Sequence, residues 1–285
     1  VTDSAMILEW SDTTDLTYMH ADSLWAEEIP FTTYSLIERD SILVDSVMTA
    51  QMPDTIWRDT TYQQLRAFHN VRIFRSDMQA VCDSARYHGK DSILTLFGLP
   101  ICWNEDNQLS ADQIDVYIKN QEVDYMHGVG NAIAIKREGI EEFNQLAGKE
   151  MFAYVRDRDI YLVDVQGNAE TVFYPQEDDG TYIGVNRTQS SFVKLYLKDR
   201  KIDYVLFTTA TTGVMIPLDQ ALENERKLSG FFWAEEERPH SPEDIFSHPP
   251  RTVRPVAGTV SAAAEDEEET EENEEENKAT RRQNR

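Results

Sequence analysis

Between Gln108 and Ala169 apolar and polar positions alternate in short runs, and the pattern returns after 37 residues. Gln108-Leu109-Ser110 recurs as Gln145-Leu146-Ala147, Tyr117-Ile118-Lys119-Asn120 as Tyr154-Val155-Arg156-Asp157, and Gly130-Asn131-Ala132 as Gly167-Asn168-Ala169. A third copy, spaced by 42 residues, carries Tyr196-Leu197-Lys198-Asp199. An apolar residue sits six positions after each tyrosine: Val123, Ile160 and Ile202. Alternation puts successive side chains on opposite faces of an extended chain, so the copies predict strands rather than helices. Ile114, Val116 and Ile118 share one face, as do Met151, Ala153 and Val155 in the next copy and Val193, Leu195 and Leu197 in the third. These nine positions predict one continuous apolar surface. The Lys/Arg-Asn/Asp pair after each strand predicts a tight turn, because Asn and Asp tolerate left-handed backbone and bond their own main chain. Gly-Asn predicts a second turn before the next strand. A period of 37 to 42 residues with several short strands means stacked β units that bury a core only against their neighbours.

Outside the repeats the pattern weakens. Residues 1–61 predict a diverged N-terminal β segment, with one strand signal over Leu16–Leu24 and a charged surface excursion from Glu38 to Asp54. The repeats occupy 62–217, and Tyr87, with Ile93 six residues on, marks an earlier copy. Residues 218–248 predict a cap: a short helix over Leu218–Leu228, then the aromatic run Phe231-Phe232-Trp233, docked on the last strands and blocking growth at that end. Residues 249–285 turn to Pro, Ala and Glu, and the acidic run Glu265–Glu276 has almost nothing apolar to bury, which predicts disorder.

Composition narrows the function classes. Of 285 residues 40% are hydrophobic, enough for a sizeable core. No apolar run approaches the roughly 18 residues of a membrane-spanning helix. The net charge of -25 argues against nucleic acid, whose phosphates are held by Lys and Arg. The chain opens at Val1 with neither an initiator Met nor an apolar leader, which predicts a processed or trimmed chain. Cys82 and Cys102 form neither a CxxC nor a metal set; they are two buried thiols or a disulfide across neighbouring strands.

The search for catalytic chemistry yields little. The six histidines are scattered without metal-ligand spacing. Gly128-Val129-Gly130 lies between strands with no helix opening after it, and no GxSxG elbow occurs. Asn186-Arg187-Thr188 fits a glycosylation sequon but reads as a loop. Arg66, Arg72, Arg75 and Arg86 are the notable basic cluster of the first half, either a solvated sheet face or a phosphate contact. The expectation is a protein with no catalytic residues, no metal and no cofactor.

Leu109-Ser110-Ala111-Asp112-Gln113-Ile114 followed by Gly130-Asn131-Ala132, and Leu146-Ala147-Gly148-Lys149-Glu150-Met151 followed by Gly167-Asn168-Ala169, resemble the organic-solvent-tolerance (OstA-like, LptA-like) repeat of periplasmic lipopolysaccharide-transport proteins. His20–Leu24, Val81–Ser84, Trp103–Leu109, Arg238-Pro239 and Asp244-Ile245-Phe246 look like the longer members from Bacteroidetes, of which this chain resembles the C-terminal part. The resemblance spans roughly residues 15–248 as many weak matches in order. It implies an all-β, partly open antiparallel jellyroll, folded like a taco, that shelters lipopolysaccharide acyl chains in an apolar groove and joins other jellyrolls edge to edge. The nine inward positions become the candidate acyl-groove residues. The rival reading is a non-enzymatic β-solenoid scaffold or carbohydrate-binding module with a packed interior. A β-helix hydrolase would need a carboxylate cluster on one face, which the copies lack.

Overall fold

The computed structural model describes residues 2–8, 16–37, 42–44, 47–49, 54–177, 179–247 and 249. The acidic run therefore lies outside the described residues. The strands are β1 (Thr2–Leu8), β2 (Thr17–Ile37), β3 (Ile42–Val44), β4 (Val47–Thr49), β5 (Asp54–Phe74), β6 (Gln79–His88), β7 (Ile93–Phe97) and β8 (Ile101–Asn104). They continue with β9 (Asn107–Ser110), β10 (Gln113–Lys119), β11 (Glu122–Arg137), β12 (Phe143–Arg156), β13 (Asp159–Phe173), β14 (Gly184–Lys198), β15 (Lys201–Thr208) and β16 (Thr212–Pro217). The all-β expectation holds.

The main sheet is antiparallel and runs β1-β2-β5-β6-β7-β10-β11-β12-β13-β14-β15, with β8 and β9 bridging β6 to β11 and β16 pairing with β14. Its long strands fold over on themselves. Register slips between Phe68 and Val71 in β5, Val129 and Ala132 in β11, Ala147 and Glu150 in β12, and Gln166 and Ala169 in β13. At these bulges the sheet bends and each strand passes from one layer to the other. The front layer holds the β5 end near Leu65, β7, β10, the first half of β11 and β15; the back layer holds β8, β9, the second half of β11 and β16.

This explains the period. One repeat is a strand out through both layers, a hairpin, and a strand back. Asn120-Gln121, Asp157-Arg158 and Asp199-Arg200 all have positive φ, the backbone of a two-residue hairpin turn whose twist matches its strands. The Gly-Asn expectation is corrected: Gly130-Asn131 and Gly167-Asn168 are bends within β11 and β13, not turns between strands. Gly130 has φ of +73°, and a Cβ there would sit 2.3 Å from Asp112 Oδ2, so glycine makes this bend without backbone strain and without displacing Asp112. His69-Asn70 takes the same left-handed pair of conformations in β5 without a Gly.

Four further expectations change. β2 and β5 run together from Ser23 opposite Phe68 to Ile37 opposite Asp54, so strand extends well beyond the single signal expected over Leu16–Leu24, while much of the charged excursion expected from Glu38 to Asp54 lies outside the described residues. The copy around Tyr87 is out of phase: Tyr87 packs on the inner core, whereas Tyr117, Tyr154 and Tyr196 face outward. Its hairpin is longer, with His88 opposite Ile93, so the tyrosine does not return to the same face. Asn186-Arg187-Thr188 lies in β14, not in a loop. The helix over Leu218–Leu228 shrinks to α1 (Glu223–Arg226).

Residues 218–247 do not close the last rung. They form a strap that crosses the outer face of the back layer, from β14 back to β2. Arg187 Nη1 donates to Asn224 O at 2.8 Å in β14; Gln145 in β12 donates to Arg226 O and accepts from Leu228 N, both at 2.7 Å. Gln108 in β9 donates to Phe232 O and accepts from Ala234 N, both at 2.9 Å. Arg238 Nε then donates to Gln79 Oε1 at 2.8 Å, Arg72 Nη2 to Glu237 O at 2.6 Å, and Phe246 meets His20 edge-on at 5.2 Å. Each carboxamide at the repeated Gln position mimics a neighbouring strand. That pairing needs extended backbone, and Lys227 accordingly has φ of -128° and ψ of 137°, which ends the helix. Under the strap lie two apolar clusters, one with Ile133, Ile135, Val172, Val185 and Leu228, the other with Val81, Ile101, Trp103 and Phe232.

Candidate functional groove

The two layers enclose the main core. Cross-strand register puts the candidate groove residues in rows on the inner face of the front layer. Ile114 lies opposite Gly128, Gly128 opposite Met151, Met151 opposite Val165, Val165 opposite Val193 and Val193 opposite Phe207. Val116, Met126, Ala153, Val163, Leu195 and Val205 form a second row. A third row is made of the pairs Ile118–Val123, Val155–Ile160 and Leu197–Ile202 at the hairpin ends.

Packing along these rows is uneven. Ile114 and Met151 are 0% exposed, whereas Val205 at the end of its row is 36% exposed and Met215 in β16 is 48% exposed. In this second half the layers stand apart around a cavity of about 420 Å³. Met151, Ala153, Val193, Leu195 and Leu197 line its front wall, and Leu109, Ala134 and Leu146 its back wall. Its size falls within the range of about 300–1,000 Å³ usual for small-molecule sites, which are mostly apolar. Of the nine candidates, those five reach the cavity. Ile114 and Val116 lie in the closed core, Ile118 packs against it, and Val155 opens instead on a neighbouring hollow. Alternation gave the face but not where the layers separate. Missed lining residues, Val205 and Phe207, belong to β15, whose tyrosine Tyr204 continues the outward row.

Charged hairpin tips form the mouth. Arg200 Nη1 meets Glu105 Oε1 at 2.5 Å, and Arg200 Nε meets Asp159 Oδ1 at 2.9 Å. Arg200 thus ties the β14–β15 tip of the front layer to the β8–β9 tip of the back layer. Both pairs are solvent-exposed, so they contribute little to stability and are screened by salt.

The four arginines proposed for phosphate are not brought together. Arg66 faces outward from the front layer, 3.6 Å from Glu27 and over the Trp25 ring, with Arg86 opposite it in register. Arg72 is buried beneath the strap, and Arg75 is paired with Asp77 near the mouth. Cys82 and Cys102 are buried thiols not joined in a disulfide, and burial pushes Cys102 up to about 12, which keeps it protonated and unreactive. Outside the front layer the Tyr117 and Tyr125 rings stack at 4.1 Å, and burial together with the neighbouring Tyr117 hydroxyl pushes Tyr125 up to about 12. Among the described residues no group of His, Cys, Asp and Glu is arranged to hold a metal ion, and no helix is long and apolar enough to cross a membrane.

No known family model matches the sequence, and no curated protein sequence does. Among solved structures the chain is similar to LptH of Pseudomonas aeruginosa, described as the LptA homologous periplasmic component of the lipopolysaccharide transport device. The TM-score is 0.39 at 14% identity, over 50% of this chain and 99% of that one. The fold described above stands on its own strand pairing.

Proposed function

We propose that this chain is a non-enzymatic periplasmic carrier that shelters the acyl chains of lipopolysaccharide in its groove. The observation that supports this reading most is the apolar cavity between the layers, widening toward the end where β15 and β16 leave inner-face residues exposed. The sequence resemblance supplies the ligand class. The energetics permit it despite the chain's net charge of -25. An acyl chain gains about 0.8 kcal/mol per buried methylene, while a like-charge contact in water costs about 1 kcal/mol at roughly 4 Å.

Among the described residues β15 and β16 each pair with β14 alone, one in each layer. Their outer edges offer main-chain groups to a further jellyroll, as in β-augmentation. The strap, lying on the back face, leaves both edges open, so transport by edge-to-edge bridging does not require it to move. The scaffold reading draws on the first half, where Ile114 and Val116 are fully packed. Displacement of a fluorescent fatty acid by lipopolysaccharide separates the two: the carrier reading predicts displacement from the wild type and its loss in Leu195→Asp, with Lys194→Asp on the opposite face unchanged. A folded wild type that takes up neither molecule contradicts it.

A further inference from the structure

Beside the apolar cavity lies a second hollow of about 330 Å³. It sits between the back-layer loop Arg75–Met78 and the front-layer hairpin tips around Gln121 and Asp157. The two hollows share Asn104, Met126 and Ile160 in their walls, so they are contiguous. One is apolar; the other has a floor of Met78, Val123 and Val155 under a polar rim.

We infer that this hollow holds the sugar head of the amphiphile whose acyl chains fill the cavity, an inference that rests on the carrier reading. The rim decides between a sugar and a phosphate. A phosphate is acceptor-rich and anionic, and is held best by arginines free to make charge-assisted bonds. Here four cations, Arg75, Lys119, Arg156 and Arg158, stand among four carboxylates, Asp77, Glu122, Asp124 and Asp157, so the lining carries no net positive charge for an anion. Arg75 Nη2 donates to Asp77 Oδ2 at 2.9 Å, Arg158 Nε lies 3.8 Å from Glu122 Oε1, and Arg156 stacks over the Tyr161 ring at 4.2 Å. A sugar hydroxyl both donates and accepts, and the rim offers both kinds of partner, with carboxylates in Asp77, Glu122 and Asp124 and donors in Asn104, Gln121 and the arginines. The methyl and methylene groups of the floor suit the apolar faces of a sugar ring.

The back side of the hollow is preorganised. Arg75 N donates to Met78 O at 2.9 Å and Met78 N to Arg75 O at 3.2 Å, closing the loop. Asn104 Nδ2 donates to Asp77 O at 2.8 Å, which fixes the loop to the β8–β9 hairpin. A ligand then meets groups already held in place, which lowers the ordering cost of binding.

Three probes with a common twelve-carbon chain test this on the full chain below their micellar concentrations: dodecyl maltoside, dodecyl phosphate and dodecanoate. Displacement of a fluorescent fatty acid gives their affinities. The maltoside is expected to bind about tenfold tighter than the phosphate, and Gln121→Gly with Glu122→Ala at the exposed tip to remove that advantage while leaving dodecanoate unchanged. Equal affinities, a preference for the phosphate, or an equal loss for all three probes overturns the sugar site. If none of the three binds the folded wild type, the acyl groove itself is absent and the head site falls with it.

Discussion

The front and back layers are cut from the same strands, yet their outer faces have opposite fates. On the front, outward positions carry tyrosines and charged pairs such as Lys194–Asp164 at 3.2 Å, and Leu206 is left 49% exposed. On the back, the outward positions Ile101, Trp103, Ile133, Ile135, Val172 and Val185 are all buried, because residues from 218 onward lie over them. A sheet with one solvated face needs only one apolar phase, whereas a sheet covered twice needs two. The strap therefore makes the back layer a three-tier sandwich of inner core, sheet and strap. The front layer remains a wall with the groove on one side and water on the other.

Substitutions on the two outer faces should expose this asymmetry in chemical denaturation. Phe232→Ala removes the ring that covers Val81, Ile101 and Trp103 and should cost about 3–5 kcal/mol, the usual penalty for a buried aromatic. Gln145→Ala strands Leu228 N and leaves Arg226 O with only the longer bond from the Tyr174 hydroxyl at 3.4 Å, and should cost about 2 kcal/mol, since a buried main-chain group left unpaired costs about 1–3 kcal/mol. Leu206→Ser on the bare front face should change stability by no more than about 0.5 kcal/mol. If Leu206→Ser proves as costly as Phe232→Ala, the front face is covered in solution and the contrast between the layers collapses.

Alternation made the inner face legible. Because the side-chain period of a strand is two, Ile114, Met151 and Val193 could be phased from the sequence, and their rows follow from register. The strap was not legible in the same way. Gln108 and Gln145 look like solvent-facing polar residues until a chain segment 124 and 83 residues away supplies their partners. A signal was present in Ile101-Cys102-Trp103 and Ala132-Ile133-Ala134-Ile135, where apolar residues occupy both phases, as in a strand buried on both sides. Gly-Asn was read as a turn because its chemistry is that of a turn; only the long pairing on either side makes it a bend within a strand. Where the layers separate is set by how inner side chains fill the space between them, and Val116 and Leu195 hold equivalent places in one row with different burial.

The groove's role is tested most directly by site-specific photo-crosslinking at two neighbours on β14, Leu195 inside the cavity and Tyr196 on the outer front face. In cells making lipopolysaccharide, the account predicts covalent lipopolysaccharide at Leu195 and none at Tyr196. Adducts at neither position, or equally at both, in a folded protein would contradict it.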